Sequence, residues 1–309
     1  MTDDAFDEFS FLPAQAEGLG LTTPLPAAER RDLSLADGRT LSALRYGAEA
    51  PVVTFLHGAG LNAHTWDTTV LALGLPALSI DLAGHGDSSW RNDARYVART
   101  LADDVVPALE AWTEVPQVLV GHSLGALTAT AVAAARGDLV RSLVLIDLTP
   151  GVDPAAGPAQ MRAFFAGPTD WADREQLVDR ALSFGLGGSR EAATRGVYLN
   201  SRVRPDGRVE WKHHFAHLAA AAVASDAEVS APDAMRELLA ESGWDDLAAV
   251  RAPITLVRGD AGYVTEADAE EFRRHRPDAD VIVVPAHHNV HEQIPERLAT
   301  LLGRIVEAC

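Results

Sequence analysis

The order of apolar and polar positions along the chain predicts strands that alternate with helices. Short apolar runs without polar alternation indicate strands buried on both faces of a parallel sheet, and amphipathic helical spacing separates them, as over residues 96–112. Such runs occupy residues 51–56, 77–80, 117–120, 143–147, 254–257 and 281–284, after a hairpin over residues 33–46 that turns at Asp37-Gly38. This alternation predicts an α/β fold with a mostly parallel sheet flanked by helices.

The pattern changes between residues 152 and 247, where no buried-strand run occurs and aromatic residues are concentrated. Helical spacing recurs there around residues 159–165, 170–184, 191–199, 211–223 and 232–242. We interpret residues 152–247 as a helical cap inserted into a core formed by residues 30–151 and 248–309. Residues 1–29, rich in acids, prolines and glycines, are expected to form an N-terminal arm.

A Gly-x-Ser-x-Gly motif directly follows the strand predicted over residues 117–120. The segment Gly121-His122-Ser123-Leu124-Gly125 is followed in turn by an alanine-rich helical stretch. A nucleophile elbow requires this order, because its serine projects from a strained strand-to-helix turn and glycine on either side avoids a clash with neighbouring backbone. The N-terminus of the helix favours developing negative charge nearby. The motif therefore predicts Ser123 as a nucleophile.

A serine nucleophile needs a base that removes its proton and an acid that orients the base. Three histidines, His287, His288 and His291, follow the last predicted strand. Asp147 and Asp260 each stand at the carboxyl end of a predicted strand, where active sites of open α/β sheets lie. Either acid gives the chain order serine, acid, histidine.

With these motifs the chain resembles the α/β-hydrolase superfamily, specifically its cap-bearing members, the small carboxylesterases and the hydrolases of meta-cleavage products. The resemblance covers roughly residues 31–307. Besides the Ser123 motif and the late histidines, it rests on His57-Gly58 after a strand and on Asp81-x-x-Gly84-His85-Gly86-x-Ser88.

The resemblance implies a particular choice among the candidates. Counting back from Pro295 in the family's late segment places the catalytic histidine on His288, although His287 replaces the usual preceding glycine. The commonest acid position of the superfamily is occupied by alanine, whereas Asp147-Leu148-Thr149-Pro150 matches the Asp-x-x-Pro segment of other members. The implied acid is therefore Asp147, with Asp260 as the alternative.

We therefore expect a serine hydrolase that cleaves a small carboxylic ester through an acyl-enzyme, without a cofactor. The resemblance implies an oxyanion hole made by the backbone N–H groups of Ala59 and Leu124. Hydrolysis of a C–C bond, lactone or thioester on the same fold is the alternative. Two remote alternatives are a non-catalytic ligand binder and a nucleotide-binding oxidoreductase, since residues 58–63 fit a dinucleotide fingerprint and Asp81 ends the next strand.

Composition narrows the expected partners to small molecules. The formal net charge of −18 argues against nucleic acid and anionic membranes, which would repel the protein. The sole cysteine, Cys309, excludes an internal disulfide and a cysteine metal cluster, and no metal site is expected from His213, His214 and His217. The acidic start and the absence of a long apolar run predict a cytoplasmic protein. The sequence does not define the oligomeric state.

Overall fold

The core of the protein is an eight-stranded sheet whose centre is parallel. The computed structural model describes residues 6–152, 167–184, 188–224 and 243–309. The strands in these residues are β1 (Ala28–Ser34), β2 (Thr40–Tyr46), β3 (Val53–Leu56), β4 (Ala77–Asp81), β5 (Gln117–His122), β6 (Val140–Ile146), β7 (Asp170–Trp171), β8 (Ser201–Val203), β9 (Val209–Trp211), β10 (Ile254–Gly259) and β11 (Asp280–Val284). The order in the large sheet is β1-β2-β4-β3-β5-β6-β10-β11, with β2 antiparallel to both of its neighbours.

Helices cover both faces of this sheet, as the continuous apolar strands predict. The α-helices of the described residues are α1 (Leu12–Gly18), α2 (Asp67–Leu73), α3 (Ala98–Trp112), α4 (Leu124–Ala135), α5 (Arg174–Ser183), α6 (Arg190–Asn200), α7 (Phe215–Ala224), α8 (Gly243–Ala249), α9 (Glu266–His275), α10 (Val290–Gln293) and α11 (Pro295–Ala308). One apolar cluster joins the sheet to α3, α4, α8 and α9, and another joins it to α1, α2 and α11. Strands β3 and β5 are buried at every position because both faces are covered.

The described part of the N-terminal arm packs against the core. Leu12 is buried in the cluster with α2 and α11, and β1 begins at Ala28, two residues before the predicted start of the core. The Glu8 carboxylate accepts hydrogen bonds from Arg30 and lies 3.0 Å from His64 Nε2. The arm therefore contributes a partly buried carboxylate to the contacts of Arg30 and His64.

The cap segment contains a small sheet that its helical pattern did not predict. Strands β7, β9 and β8 form a three-stranded antiparallel sheet beside α5, α6 and α7. Its strands are only two or three residues long, too short to produce an apolar run or a period of two. The helices predicted around residues 159–165 and 232–242 lie outside the described residues. Among the helices that are described, none is long and apolar enough to cross a membrane.

The carboxylates around His64 make the stability of the fold depend on pH. Burial lowers the pKa of His64, but the Asp67 and Glu8 carboxylates outweigh it and raise the pKa to about 9. A histidine whose pKa is raised in the folded state stabilises that state. Its contribution is complete at pH values below 6.5, the pKa of histidine in the unfolded chain, and is lost as the pH rises through about 9.

We predict that the free energy of unfolding of the wild type falls between pH 6.5 and about 9, and that Glu8→Gln reduces this fall because one of the two carboxylates is gone. The expected fall in the free energy of unfolding is on the order of 1 kcal/mol for each unit by which the pKa of His64 differs between the folded and unfolded states. Urea denaturation across this range measures it. Glu49→Gln, which makes the same charge change at an exposed position, should keep the wild-type pH dependence. An unchanged dependence in Glu8→Gln would contradict the role of Glu8.

Candidate active site

Ser123 occupies the turn between β5 and α4 and is held in a strained conformation. Its backbone has φ 53° and ψ −120°, a region that residues other than glycine rarely adopt. A methyl group on Gly121 would lie 2.2 Å from the carbonyl oxygen of Gly125, and one on Gly125 would lie 2.2 Å from that of Leu56. Both glycines are therefore required for α4 to pack directly on β3 and β5. This is the elbow geometry that the motif predicts.

Asp147 follows β6 directly and is hydrogen-bonded to His288. The Asp147 Oδ2 atom lies 2.8 Å from His288 Nδ1, and the carboxylate is fully buried while the imidazole is partly exposed. The backbone N–H of Ser123 donates to the carbonyl of Ile146, the residue before Asp147. Asp147 and His288, the predicted acid and base, are thus in contact. Ser123, the predicted nucleophile, is hydrogen-bonded to the end of β6, directly before Asp147.

The last residue of β10 and the loop that follows it bind the Asp147 carboxylate. The backbone N–H groups of Gly259 and Tyr263 donate to its two oxygens at 3.0 and 2.7 Å. A methyl group on Gly262 would lie 2.2 Å from Asp147 Oδ1, so this position must remain glycine for the loop to reach the acid. These donors satisfy a carboxylate that would otherwise be buried at high cost.

His288 is flanked by two aromatic rings that limit its orientation. The ring of Tyr263 stacks on it with a centroid distance of 3.6 Å and an angle of 10° between the planes. His122 Nε2 donates to the backbone carbonyl of His288 at 3.1 Å, and the centroids of the two imidazoles lie 4.6 Å apart. Since His122 precedes Ser123, this contact brings the His288 loop to the elbow. Burial, together with the neighbouring His291 and His288, keeps the pKa of His122 well below 6.5.

The turn after β3 presents the predicted oxyanion donor of Ala59. Its neighbour Gly58 passes so close to the elbow that a methyl group there would lie 3.2 Å from Ser123 Cβ. The Gly58 carbonyl accepts hydrogen bonds from Leu61 N–H at 3.2 Å and from His57 Nδ1 at 2.8 Å. In a trans peptide the N–H points opposite to the C=O, so these two bonds orient the N–H of Ala59.

His57 can perform this role because its tautomer is defined. Its Nε2 accepts a hydrogen bond from Leu82 N–H at 3.0 Å, so the proton is on Nδ1, which donates to Gly58. Burial lowers the pKa of His57, which keeps the ring neutral near pH 7. The other predicted donor, Leu124, opens α4, and N–H groups in the first helical turn have no intrahelical acceptor.

The alternative candidates contact other parts of the structure. Asp260 is exposed, and its Oδ1 accepts from the backbone N–H of Ala286 at 3.2 Å. His287 Nδ1 lies 3.3 Å from the carbonyl of Ala261, and His291 Nε2 lies 2.9 Å from Thr65 Oγ1. Asp260 therefore contacts the loop after β11, and of the two candidate acids it is Asp147 that contacts His288.

The residues considered for nucleotide binding and for metal binding make other contacts in the structure. The buried Asp81 carboxylate accepts from Arg30 at 2.8 Å and from the N–H groups of Ala63 and Asp87 at 2.7 and 3.1 Å. These contacts occupy the acid that a nucleotide ribose would need. His214 stacks on Trp90 with a centroid distance of 4.4 Å. The described part of the chain contains no group of three or more His, Cys, Asp or Glu residues that could hold a metal.

The chain is similar to known hydrolases in sequence and in structure. A model of the alpha/beta hydrolase family matches residues 55–301. The chain is 35% identical to the esterase Rv0045c of Mycobacterium tuberculosis, over 99% of each sequence. It is 29% identical to the 2-(acetamidomethylene)succinate hydrolase of Mesorhizobium japonicum, over 88% of this chain and 93% of that protein. A solved structure of the M. tuberculosis esterase superposes with a TM-score of 0.81 over 98% of this chain and 99% of that one, at 34% identity.

The protein belongs to the alpha/beta hydrolase family. The predicted family and the predicted fold class, an α/β-hydrolase fold with a mostly parallel sheet, are confirmed. The catalytic roles of individual residues and the exact domain boundaries stay predictions.

Sequence reasoning missed the groups that support the site. From the sequence, His57 was identified only as part of the His57-Gly58 motif, and Gly262 and Tyr263 were not identified. Gly259 and Gly262 were an available signal, because two glycines close together at the end of a strand indicate a close approach of another part of the chain. No local pattern marks Tyr263, whose contacts with Asp147 and His288 join distant parts of the chain.

We predict that Gly262→Ala lowers esterase turnover at least about tenfold, because the added methyl group displaces Asp147 from His288. Initial rates with a chromogenic ester, alongside thermal denaturation, measure this. Gly196→Ala, in a helix position with no atom near the added methyl group, is the matched control and should keep full activity. Full activity in a folded Gly262→Ala protein would show that the Asp147 carboxylate does not depend on this close approach.

Proposed function

We propose that the protein hydrolyses small carboxylic esters through a covalent acyl-enzyme. The observation that carries the proposal is the buried Asp147 carboxylate, 2.8 Å from His288 Nδ1, beside a serine held in an elbow. In this assignment Ser123 is the nucleophile, His288 the base and Asp147 the residue that orients the base. The proposal is supported by the esterase that is similar to this chain over its full length.

The contact between His288 and Asp147 supports a route for the proton of the Ser123 hydroxyl. Because Nδ1 of His288 is directed to Asp147, Nε2 is the atom that takes the proton from Ser123 Oγ as the oxygen attacks the ester carbonyl. The developing oxyanion accepts hydrogen bonds from the N–H groups of Ala59 and Leu124. His288 then protonates the departing alcohol, and water, activated by the same imidazole, releases the carboxylic acid.

The substrate proposed is a small molecule bound between core and cap. The cap reaches the site directly, since Asn200 Nδ2, at the end of α6, donates to the carbonyl of Gly60 at 2.7 Å. Gly60 lies two residues after Gly58, which contacts the elbow. The end of α6 therefore contacts the same turn that carries the proposed oxyanion donor Ala59.

The serine mechanism is tested by steady-state hydrolysis of p-nitrophenyl acetate. Ser123→Ala should abolish turnover. Asp147→Asn should lower kcat on the order of 10³–10⁴-fold, because the imidazole loses its orienting carboxylate and the support of its positive charge. Thermal denaturation confirms that each variant is folded.

Asp260→Asn is the matched control, since it makes the same substitution at the competing acid. It should reduce kcat no more than a few-fold, because Asp260 contacts Ala286 and not His288. An equal loss in Asp260→Asn and Asp147→Asn would overturn the choice of acid. Turnover by Ser123→Ala at the wild-type rate would overturn the serine mechanism.

A further inference from the structure

The turn that presents Ala59 is connected to the cap by two hydrogen bonds that run in opposite directions. From the core, Asn62 Nδ2 donates to the carbonyl of Leu199 at 3.0 Å. From the cap, Asn200 Nδ2 donates to the carbonyl of Gly60 at 2.7 Å. A carbonyl can only accept, so the amide nitrogen must face it in both cases. We call these two bonds the amide clasp.

The clasp acts on the peptide groups that orient the oxyanion donor. Residues Gly58 to Leu61 form a turn in which Gly60 has φ 76° and Leu61 N–H donates to the Gly58 carbonyl. The peptide group between Gly60 and Leu61 is held at both ends, its carbonyl by Asn200 and its N–H by Gly58. The Gly58 carbonyl in turn belongs to the peptide group whose N–H is that of Ala59. Asn200 is thus two peptide groups from the proposed oxyanion donor.

Asn200 is itself fixed within the cap and to the core. Its backbone carbonyl accepts from Lys212 N–H at 2.9 Å, just after β9. The Lys212 ammonium forms a 2.7 Å ion pair with Asp87, and the Trp90 indole N–H donates to the Lys212 carbonyl at 2.7 Å. The side chain of Asn200 therefore approaches Gly60 from an anchored backbone.

We propose that Asn200 is a positioning residue that holds the oxyanion turn in its active geometry, so that correct placement of the cap is a condition for catalysis. This inference rests on the proposed function. The clasp contributes little to binding the uncharged ester and much to stabilising the oxyanion, because only the latter depends on the direction of the Ala59 N–H. Its loss should therefore lower kcat and leave KM nearly unchanged.

The test replaces each donor of the clasp with an isosteric acceptor. Asn200→Asp places a carboxylate oxygen against the Gly60 carbonyl. Asn62→Asp does the same against Leu199, yet it keeps the oxygen that accepts from His64 N–H and caps the following helical turn. Asn92→Asp, on an exposed loop, makes the same change in sequence and charge and is the matched control.

Each variant is assayed with p-nitrophenyl acetate and with an alkyl trifluoromethyl ketone. Ser123 Oγ adds reversibly to the carbonyl carbon of this inhibitor, its proton passing to His288, and the product is a tetrahedral oxyanion that reports on the hole. We expect both clasp variants to lower kcat about tenfold with KM within twofold. The inhibition constant of the ketone should rise by a similar factor, because the same oxyanion contacts are weakened. Asn92→Asp should match the wild type.

Wild-type kcat and ketone affinity in folded Asn200→Asp would overturn the proposal. A rise in KM alone would also overturn it, since that result would make Asn200 a substrate contact. If Asn200→Asp does not fold, Asn62→Asp decides by the same criteria. If the wild type is active and both clasp variants keep its kcat and its affinity for the ketone, the positioning role of the clasp is refuted and the proposed function stands. A wild type that neither hydrolyses the ester nor binds the ketone refutes the proposed function, and the clasp proposal with it.

Discussion

The direct packing of α4 on β3 and β5 is the constraint on which the rest of the site depends. No side chain separates these backbones, because Gly121 and Gly125 each approach a carbonyl oxygen closely enough to exclude a methyl group. The turn between them is consequently so tight that Ser123 adopts a positive φ and projects from the end of the sheet. Asp147, His288 and the turn that carries Ala59 follow the carboxyl ends of other strands of the sheet, as expected for an active site in a parallel sheet.

Strain at the site is offset by hydrogen bonds around it. Only three non-glycine residues in the described part of the chain have positive φ, and two of them are Ser123 and Asp147. Such conformations cost on the order of 1–3 kcal/mol each and persist only where the surroundings determine them. Here the N–H of Ser123 is bound to β6, that of Asp147 donates to Val257, and the Asp147 carboxylate accepts two backbone N–H groups. The register of β5, β6 and β10 thus places Ser123 and Asp147 close together.

The sequence predicted the elements of the core well, since each carries its own local signal. Continuous apolar runs predicted the strands, and the two glycines around Ser123 predicted the elbow. The cap sheet and the support of the site were not predicted, because they depend on contacts between distant residues. Such contacts join Asp147 to Tyr263 and His288, Glu8 to His64, and Asn200 to Gly60. The spacing of apolar residues along the chain does not predict them. The choice of Asp147 over Asp260 came from a family resemblance and stays a prediction; in the structure Asp147 contacts His288.

The proposed mechanism requires Ser123 to be a nucleophile that His288 and Asp147 activate. The most direct measurement is the intact mass of the protein after reaction with a fluorophosphonate, followed by peptide mapping. We expect a single adduct on Ser123 that forms in the wild type, is absent in Ser123→Ala and forms far more slowly in Asp147→Asn. An adduct on another residue, or an unlabelled Ser123 in a protein that still hydrolyses esters, would rule out this role for Ser123.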